Sequence, residues 1–410
     1  MPPPRRSDAP GDRAHAGGES PNDDDMPVLP PKRVLVRIGL VLLFILALVC
    51  ARPAVMHAQA AGVLLRLSDT GGNPMGLRDF GAVPTTRSRL TLDLPAGKVP
   101  AYRYEPTAGP RAFGLVLIHG VHYRGIDEAR LVRFAESIAA SGITVLTPEV
   151  SSLADYHFDA AAVVEIGAAA HALREQLGGE HPVGVMGISF AGSLALLAAA
   201  DPASGKDIGY VVTVGSYDDL ARVCRFYATG TIDRPDGSRV ALHPHDYGPV
   251  VWVYSHLEDF FPLEGREDAR TALRLWLHEQ HDEARAALSK VTAANKTKLE
   301  ALFAGDIAAA VPDLLADVDR HAAELEALSP HGHMESLKVA VFALHGSDDH
   351  LIPPSETLWL AHDLPPGALA YALISRALTH VELGDQASFF ERLQAVHFMA
   401  GVLAEAHHPG

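Results

Sequence analysis

The sequence predicts an α/β protein, a mostly parallel sheet covered by helices on both faces. Three observations carry this. Short apolar runs recur at Phe113–Ile118, Ile143–Leu146, Val183–Met186, Ile208–Val214 and Val339–Leu344; they have the length of strands, and strands buried on both faces are apolar throughout. Helical patterns alternate with these runs, which is the spacing of parallel strands joined by crossover helices. A chain of 410 residues, 48% of them hydrophobic, also has the material for a large core.

Taken from the N-terminus, residues 1–31 are rich in Pro, Asp, Arg and Gly and bury too little surface to fold, so disorder is expected there. Lys32, Arg33 and Arg37 then precede an uncharged, mostly apolar stretch, Ile38–Cys50, and Ala58-Gln59-Ala60 supplies small residues for cleavage before Ala61. This is the outline of an export signal, with an apolar core short for a spanning helix. The competing reading is an uncleaved membrane anchor with Lys32 and Arg33 inside. A start at Met26 gives the leader ordinary proportions, and Val49 before Cys50 argues against a lipoprotein site.

Ser88–Leu94 and Val99–Tyr104 alternate as opening antiparallel strands, and Phe113–Ile118 follows. Asp127–Ser141 reads as a helix with Leu131, Phe134 and Ile138 on one face and Gly142 as its stop. After the strand Ile143–Leu146, Asp159 is placed to start a helix that runs through Gln176 and ends at Gly178 and Gly179.

Val183–Met186 ends at Gly187, and an alanine-rich helical pattern begins at Ser193. Between them stands Ser189, flanked two residues away on each side by Gly187 and Ala191. A serine hydroxyl is a poor nucleophile unless a tight strand-to-helix turn lifts it to where a base reaches it, and small residues at those positions permit such a turn. Ala191 departs from the usual glycine. Beyond Ile208–Val214 the β-pattern largely disappears between about Tyr217 and Pro330. Leu273, Trp276, Leu277, Ala284 and Leu288 instead repeat at helical spacing, as do Val311, Leu314, Leu315, Val318, Ala322 and Leu325. The strand Val339–Leu344 leads into His345-Gly346-Ser347-Asp348-Asp349, and a short strand pattern, Ala368–Ile374, is followed by His380.

The order Ser189, Asp349, His380 resembles that of the α/β-hydrolase superfamily. The family's Gly-x-x-Asp-x-x-(Val/Ile)-Pro segment maps onto Gly346, Asp349, Ile352 and Pro353, which selects Asp349 over Asp348, and its loop histidine maps onto His380. His119-Gly120-Val121-His122 is similar to the family's oxyanion loop. The resemblance implies a mostly parallel sheet flanked by helices with a helical cap, so that after the disordered N-terminus and signal or anchor at 1–60 the chain divides into core at 61–216, cap at 217–330 and core at 331–410. It also implies a triad in which His380 takes the proton of Ser189 and Asp349 fixes the imidazole. The backbone N–H groups of Val121 and Phe190 are the expected oxyanion donors. Asp218 and Asp219, after the strand that follows the elbow, are the alternative acid.

Trp252, Phe261 and His122 are candidate substrate contacts, while Trp252, Tyr254, Phe260 and Phe261 also suit core packing. No metal is expected. His243 with His245, His278 with His281, and His331 with His333 match no recognised ligand set, and solvated histidines explain them better. Asn295-Lys296-Thr297 is a sequon in a helix-rich segment and carries no weight. Cleavage before Ala61 leaves only Cys224, so no intrachain disulfide forms. A net charge of -16 without clustered Lys and Arg beyond the leader argues against nucleic acid.

The sequence therefore points to an exported serine hydrolase that cleaves small carboxylic esters through an acyl-enzyme on Ser189, without a cofactor. A membrane is involved only through an uncleaved leader. Haloalkane or epoxide chemistry is disfavoured, because those relatives need a carboxylate where Ser189 stands. The alternatives are a peptidase or acyltransferase of the same fold and a catalytically silent binding protein.

Overall fold

The computed structural model describes residues 32–68, 74–95, 97–109, 112–376, 378 and 387–407. The chain divides into two compact units, Met1–Arg52 and Pro53–Gly410. A helix, Lys32–Leu67, contributes to both. In the first unit its apolar side chains from Val34 to Ile45 are exposed. Among the described residues no helix is long and apolar enough to cross a membrane. In the second unit the helix is packed: Ala60 and Val63 are buried. The Arg66 guanidinium donates to the Ser137 carbonyl at 3.0 Å and to the Arg78 carbonyl at 2.7 Å, and the Ser137 hydroxyl donates to the Val63 carbonyl at 2.9 Å. The helix runs unbroken through Ala58-Gln59-Ala60, where cleavage is expected.

The apolar runs form strands. In chain order they are β1 (Thr85–Leu94), β2 (Gly97–Pro106), β3 (Gly114–Ile118), β4 (Thr144–Pro148), β5 (Val183–Ile188), β6 (Ile208–Val214), β7 (Thr231–Asp233), β8 (Arg239–Ala241), β9 (Ala340–Gly346) and β10 (Leu369–Ser375). Eight of them make one sheet in the order β1-β2-β4-β3-β5-β6-β9-β10. β1 and β2 form an antiparallel hairpin that turns between Leu94 and Gly97. β2 also runs antiparallel to β4, and every pairing from β4 to β10 is parallel. This is the α/β-hydrolase fold.

The side-chain alternation of the parallel strands explains why they are apolar throughout. In β3, Val116 and Ile118 enter one core with Ile166 and Leu173 of the helix Ala161–Gln176 and Leu194 and Leu196 of Phe190–Ala200. Leu115 and Leu117 point the other way, to Leu131 and Ile138 of Ala129–Ala139 and Phe398 and Leu403 of Phe389–Ala406. Each such buried aliphatic side chain contributes about 1.5–3 kcal/mol. The expected glycine stops are used as such, with Gly178 and Gly179 at φ 98° and 74°.

Between β6 and β9 the chain is mostly helical. Leu273 and Leu277 of Arg266–Leu277, Leu314 and Val318 of Val311–Arg320, and Leu325 of Ala322–Ala327 are all buried, as the periodicity predicts. The segment also holds a two-stranded ribbon, β7 with β8. Three-residue strands are too short to show an alternating pattern, so the sequence gives no sign of it. These elements belong to the same compact unit as the sheet.

Candidate active site

Ser189 is the single residue between β5 and the helix Phe190–Ala200, with φ 58° and ψ −131°. This is a backbone region that side-chain-bearing residues rarely occupy, at a cost of about 1–3 kcal/mol, so the surroundings must impose it. They do so closely. The Ser189 N–H donates to the Val214 carbonyl at 2.7 Å, and the Ser216 hydroxyl donates to the Ser189 carbonyl at 2.9 Å. A Cβ on Gly187 would lie 2.3 Å from the Ala191 carbonyl, so glycine is required there for the turn to close. Ser189 itself is 5% exposed.

The loop after β3 lies beside the serine: a Cβ on Gly120 would be 3.5 Å from the Ser189 Cβ. His119, buried, holds this loop. Its Nε2 accepts from the Val150 N–H at 3.0 Å, so the hydrogen sits on Nδ1, which donates to the Gly120 carbonyl at 2.8 Å. Burial pushes its pKa below the ordinary histidine value, which keeps this neutral tautomer. The Gly120 carbonyl shares a peptide plane with the Val121 N–H, one expected oxyanion donor, so fixing one orients the other. The Phe190 N–H opens a helix and has no partner within it. The arrangement suits a developing negative charge on an acyl oxygen.

Asp349 lies three residues beyond β9 and is 1% exposed. Its Oδ1 accepts from the N–H groups of Leu351 and Ile352 at 2.8 and 3.0 Å, and its Oδ2 is 3.4 Å from Nε2 of the buried His345. Asp348 beside it is exposed. The adjacent strand β10 ends at Ser375, paired with Gly346, and the Ser347 N–H donates to the Ser375 carbonyl. Leu378 is buried just beyond. His380 lies outside the described residues.

Asp218 and Asp219, the alternative acids, are committed elsewhere. Glu356 accepts from both of their N–H groups and from Nε of Arg222 at 2.7 Å, while Asp218 accepts from Arg222 at 2.9 Å. Asp218 is fully buried, and that burial, with Glu356 next to it, pushes its pKa up to about 7. Arg222 also lies 4.5 Å over the Trp359 ring. Asp219 caps the helix Leu220–Thr229. The sequence does not show this cluster, because Glu356 and Arg222 are 134 residues apart.

The other candidates separate. The His122 ring stacks on Tyr123 with centroids 4.7 Å apart, and its Nε2 is 4.0 Å from Glu279. Trp252 and Phe261 are 2% and 3% exposed. Trp252 reaches the elbow through a ring that sequence reasoning missed: Phe158, half-buried, stacks on Phe190 at 4.9 Å and on Trp252 at 6.3 Å. Of the paired histidines, the His245 ring accepts from the Tyr247 N–H at Nδ1, His278 stacks on Tyr123, His281 lies tilted against Trp276, and His333 lies against the Ser329 carbonyl. His331 meets Asp218 and Asp363, and His321 meets Asp259 and Asp317. Arg222 and Arg320 already bind carboxylates in these two groups, which supplies the positive charge there.

No protein-family model matches the sequence, and no curated protein matches it. Among solved structures the chain is similar to an acylaminoacyl peptidase in complex with Z-Gly-Gly-Phe-chloromethyl ketone, at 12% identity and TM-score 0.47, over 78% of this chain and 41% of that one. It is similar to an esterase of Pyrobaculum calidifontis at 16% identity and TM-score 0.44, over 85% and 90% of the two chains. It is also similar to a 2,6-dihydroxy-pseudo-oxynicotine hydrolase at 15% identity and TM-score 0.43, over 77% and 68%. The chain thus spans less than half of the peptidase it matches. The likeness is one of fold.

Proposed function

We propose that the chain is a serine hydrolase that cleaves small carboxylic esters. The observation that carries this is the strained backbone of Ser189 at the end of β5, with the Gly120–Val121 loop against it. Strain at a single serine in an otherwise regular strand-to-helix connection is retained where it aims the hydroxyl.

In this reading His380 takes the proton as Ser189 attacks the acyl carbonyl, and Asp349, held by two loop N–H groups, steadies the imidazolium. The N–H groups of Val121 and Phe190 receive the oxyanion. His380 then returns the proton to the leaving alcohol. Water enters by the same general-base route, and hydrolysis of the acyl-enzyme frees Ser189. The segment 217–330 acts as the cap, and Phe158 together with His122 lines the substrate space, with the buried Trp252 and Phe261 packed behind it. None of these steps requires a cofactor.

Labelling with a fluorophosphonate, together with a chain-length series of nitrophenyl esters and a matched anilide, tests the reading. Wild type is expected to label and to turn over esters, and Ser189→Ala to do neither. Labelling that persists in Ser189→Ala would overturn it, and a preference for the anilide would move the assignment to a peptidase.

We propose that the leader exports the protein and is removed before Ala61. Gly62, Val63 and Arg66, which make the close contacts at Leu77, Ser137 and Arg78, then remain with the folded domain. N-terminal sequencing of the extracytoplasmic protein should begin near Ala61. An intact leader recovered with membranes would instead establish the anchor.

A further inference from the structure

The loop that bears one proposed oxyanion donor is held from two sides, and one of them is the helical segment between β6 and β9. The Tyr247 hydroxyl, from the helix Tyr247–Ser255, donates to the Val121 carbonyl at 3.1 Å. Two residues along, the Tyr123 N–H donates to the Tyr156 hydroxyl at 3.2 Å, and that hydroxyl donates onward to the Leu277 carbonyl at 2.7 Å. Leu277 ends the helix Arg266–Leu277 of the same segment. Tyr156 is fully buried and held at φ 61°, a left-handed backbone that a bulky residue adopts only when its surroundings require it. The Tyr156 and Tyr247 rings meet edge to face, with centroids 6.3 Å apart.

We propose that Tyr247 and Tyr156 are positioning residues that make the Val121 oxyanion amide depend on the placement of the helical segment. The inference rests on the serine-hydrolase reading. The Gly120 carbonyl, on the amide's own peptide plane, is fixed from the core by His119. The next carbonyl, that of Val121, is fixed by a tyrosine of the segment, and the Tyr123 N–H, in the peptide after that, by a hydroxyl anchored on the segment's backbone. A shift of the helices 247–255 and 266–277 therefore turns the two peptides that follow the donor, and an oxyanion contact loses most of its value when its geometry relaxes. The segment thus acts on rate as well as on substrate choice.

The test compares wild type, Tyr247→Phe and Ser189→Ala in nitrophenyl ester hydrolysis, in inhibition by a trifluoromethyl ketone that forms a tetrahedral adduct, and in thermal melting. Tyr247→Phe keeps the ring and removes the hydroxyl that donates to Val121. The expected result is a kcat lower by about tenfold with KM nearly unchanged, and ketone binding weakened by the same factor, since the lost contact matters only when the oxyanion forms. A melting midpoint within a few degrees of wild type goes with it. Loss of activity in proportion to unfolded protein, with normal kcat per phosphonate-labelled site, would mark Tyr247 as merely structural and overturn the proposal, as would an unchanged kcat. Should Tyr247→Phe fail to fold, Tyr156→Phe, which cuts the link from Tyr123 to Leu277, is read by the same criteria. Ser189→Ala separates the two levels. If it stays active, the hydrolase reading itself falls; if it is silent while Tyr247→Phe and Tyr156→Phe equal wild type, only the linkage falls.

Discussion

The Ser216 hydroxyl donates to the carbonyl of Ser189 at 2.9 Å while occupying the space that a side chain at Gly192 would need, its Oγ lying 2.0 Å from where that Cβ would be. One small polar residue after β6 thus secures the strained turn and sets the size limit on the helix that leaves it. Ser193 completes the arrangement, since its hydroxyl donates to the Tyr217 carbonyl at 2.6 Å and accepts from the Tyr217 N–H at 3.1 Å. The elbow is held from the neighbouring strand as much as from its own.

Gly192→Ala should therefore destabilise the protein by about 1–3 kcal/mol, from overpacking against Ser216 and the Gly187 carbonyl. Ser216→Ala should cost about 1–2 kcal/mol through the hydrogen bond it removes. The double variant is expected to be more stable than the sum implies, because Ser216→Ala vacates the site of the clash. Strict additivity in urea melts would show that the two do not share this space.

The assignment of the acid predicts a contrast between neighbours. Asp349→Asn should reduce ester turnover by about a thousandfold or more, as Ser189→Ala and His380→Ala should, with little further loss on combination. Asp348→Asn, at an exposed position, should stay within a few-fold of wild type. Asp218→Asn should act through stability, since it breaks up a buried network around Arg222 and Glu356. Turnover that survived Asp349→Asn but not Asp218→Asn would transfer the acid role to Asp218.

The parallel strands were legible because strands buried on both faces must be apolar throughout, and β6 spans the same residues that the run Ile208–Val214 delimits. The elbow was legible because Gly187 and Ser189 are constrained by their own turn. Less local features were not. Phe158, Tyr156 and Tyr247 are ordinary aromatics until the fold brings Phe190, Tyr123 and Val121 to them. The clamp on Asp218 depends on Glu356, from a helix after β9 that has little pattern of its own. The four-part division expected for the chain reflects a connectivity that is visible in sequence, whereas the packing that joins 217–330 to the sheet in one compact unit is a property of side chains far apart along it.

His119 gives a pH dependence with a definite sign. Its pKa is depressed in the folded protein by burial, so below about pH 6.5 the unfolded chain takes up a proton that the folded chain excludes. Stability from this residue is then present at neutral and higher pH and is lost as pH falls through the ordinary histidine range, by up to about 1.4 kcal/mol per pH unit. His119→Gln retains an acceptor for the Val150 N–H and cannot titrate. The difference in unfolding free energy between wild type and His119→Gln, measured from pH 7.5 to pH 5, should change in favour of the variant as pH falls. A difference that is constant over this range would mean that His119 titrates alike in the folded and unfolded states, and one that moves in favour of the wild type as pH falls would mean that the folded protein holds it protonated.

The aromatic stack offers a way to separate packing from substrate choice. Trp252 is 2% exposed, with its ring against His256 at 4.0 Å and Phe158 at 6.3 Å, whereas Phe158 is only half-buried and lies directly on Phe190, the residue after Ser189. Truncating a buried tryptophan leaves a large cavity, and Trp252→Ala should cost about 3–5 kcal/mol. Phe158→Ala removes a ring already partly in solvent, so its stability cost should be nearer 1–2 kcal/mol, in proportion to the smaller area lost. What it should change is the space beside Ser189. The expected outcome is that Phe158→Ala reorders the preference among nitrophenyl esters of different acyl length, favouring longer chains, at nearly the wild-type melting midpoint. Trp252→Phe, which keeps a ring in place, should leave that order intact. A reordered preference in Trp252→Phe together with an unchanged one in Phe158→Ala would place the acyl pocket at the buried end of the stack, on the Trp252 side.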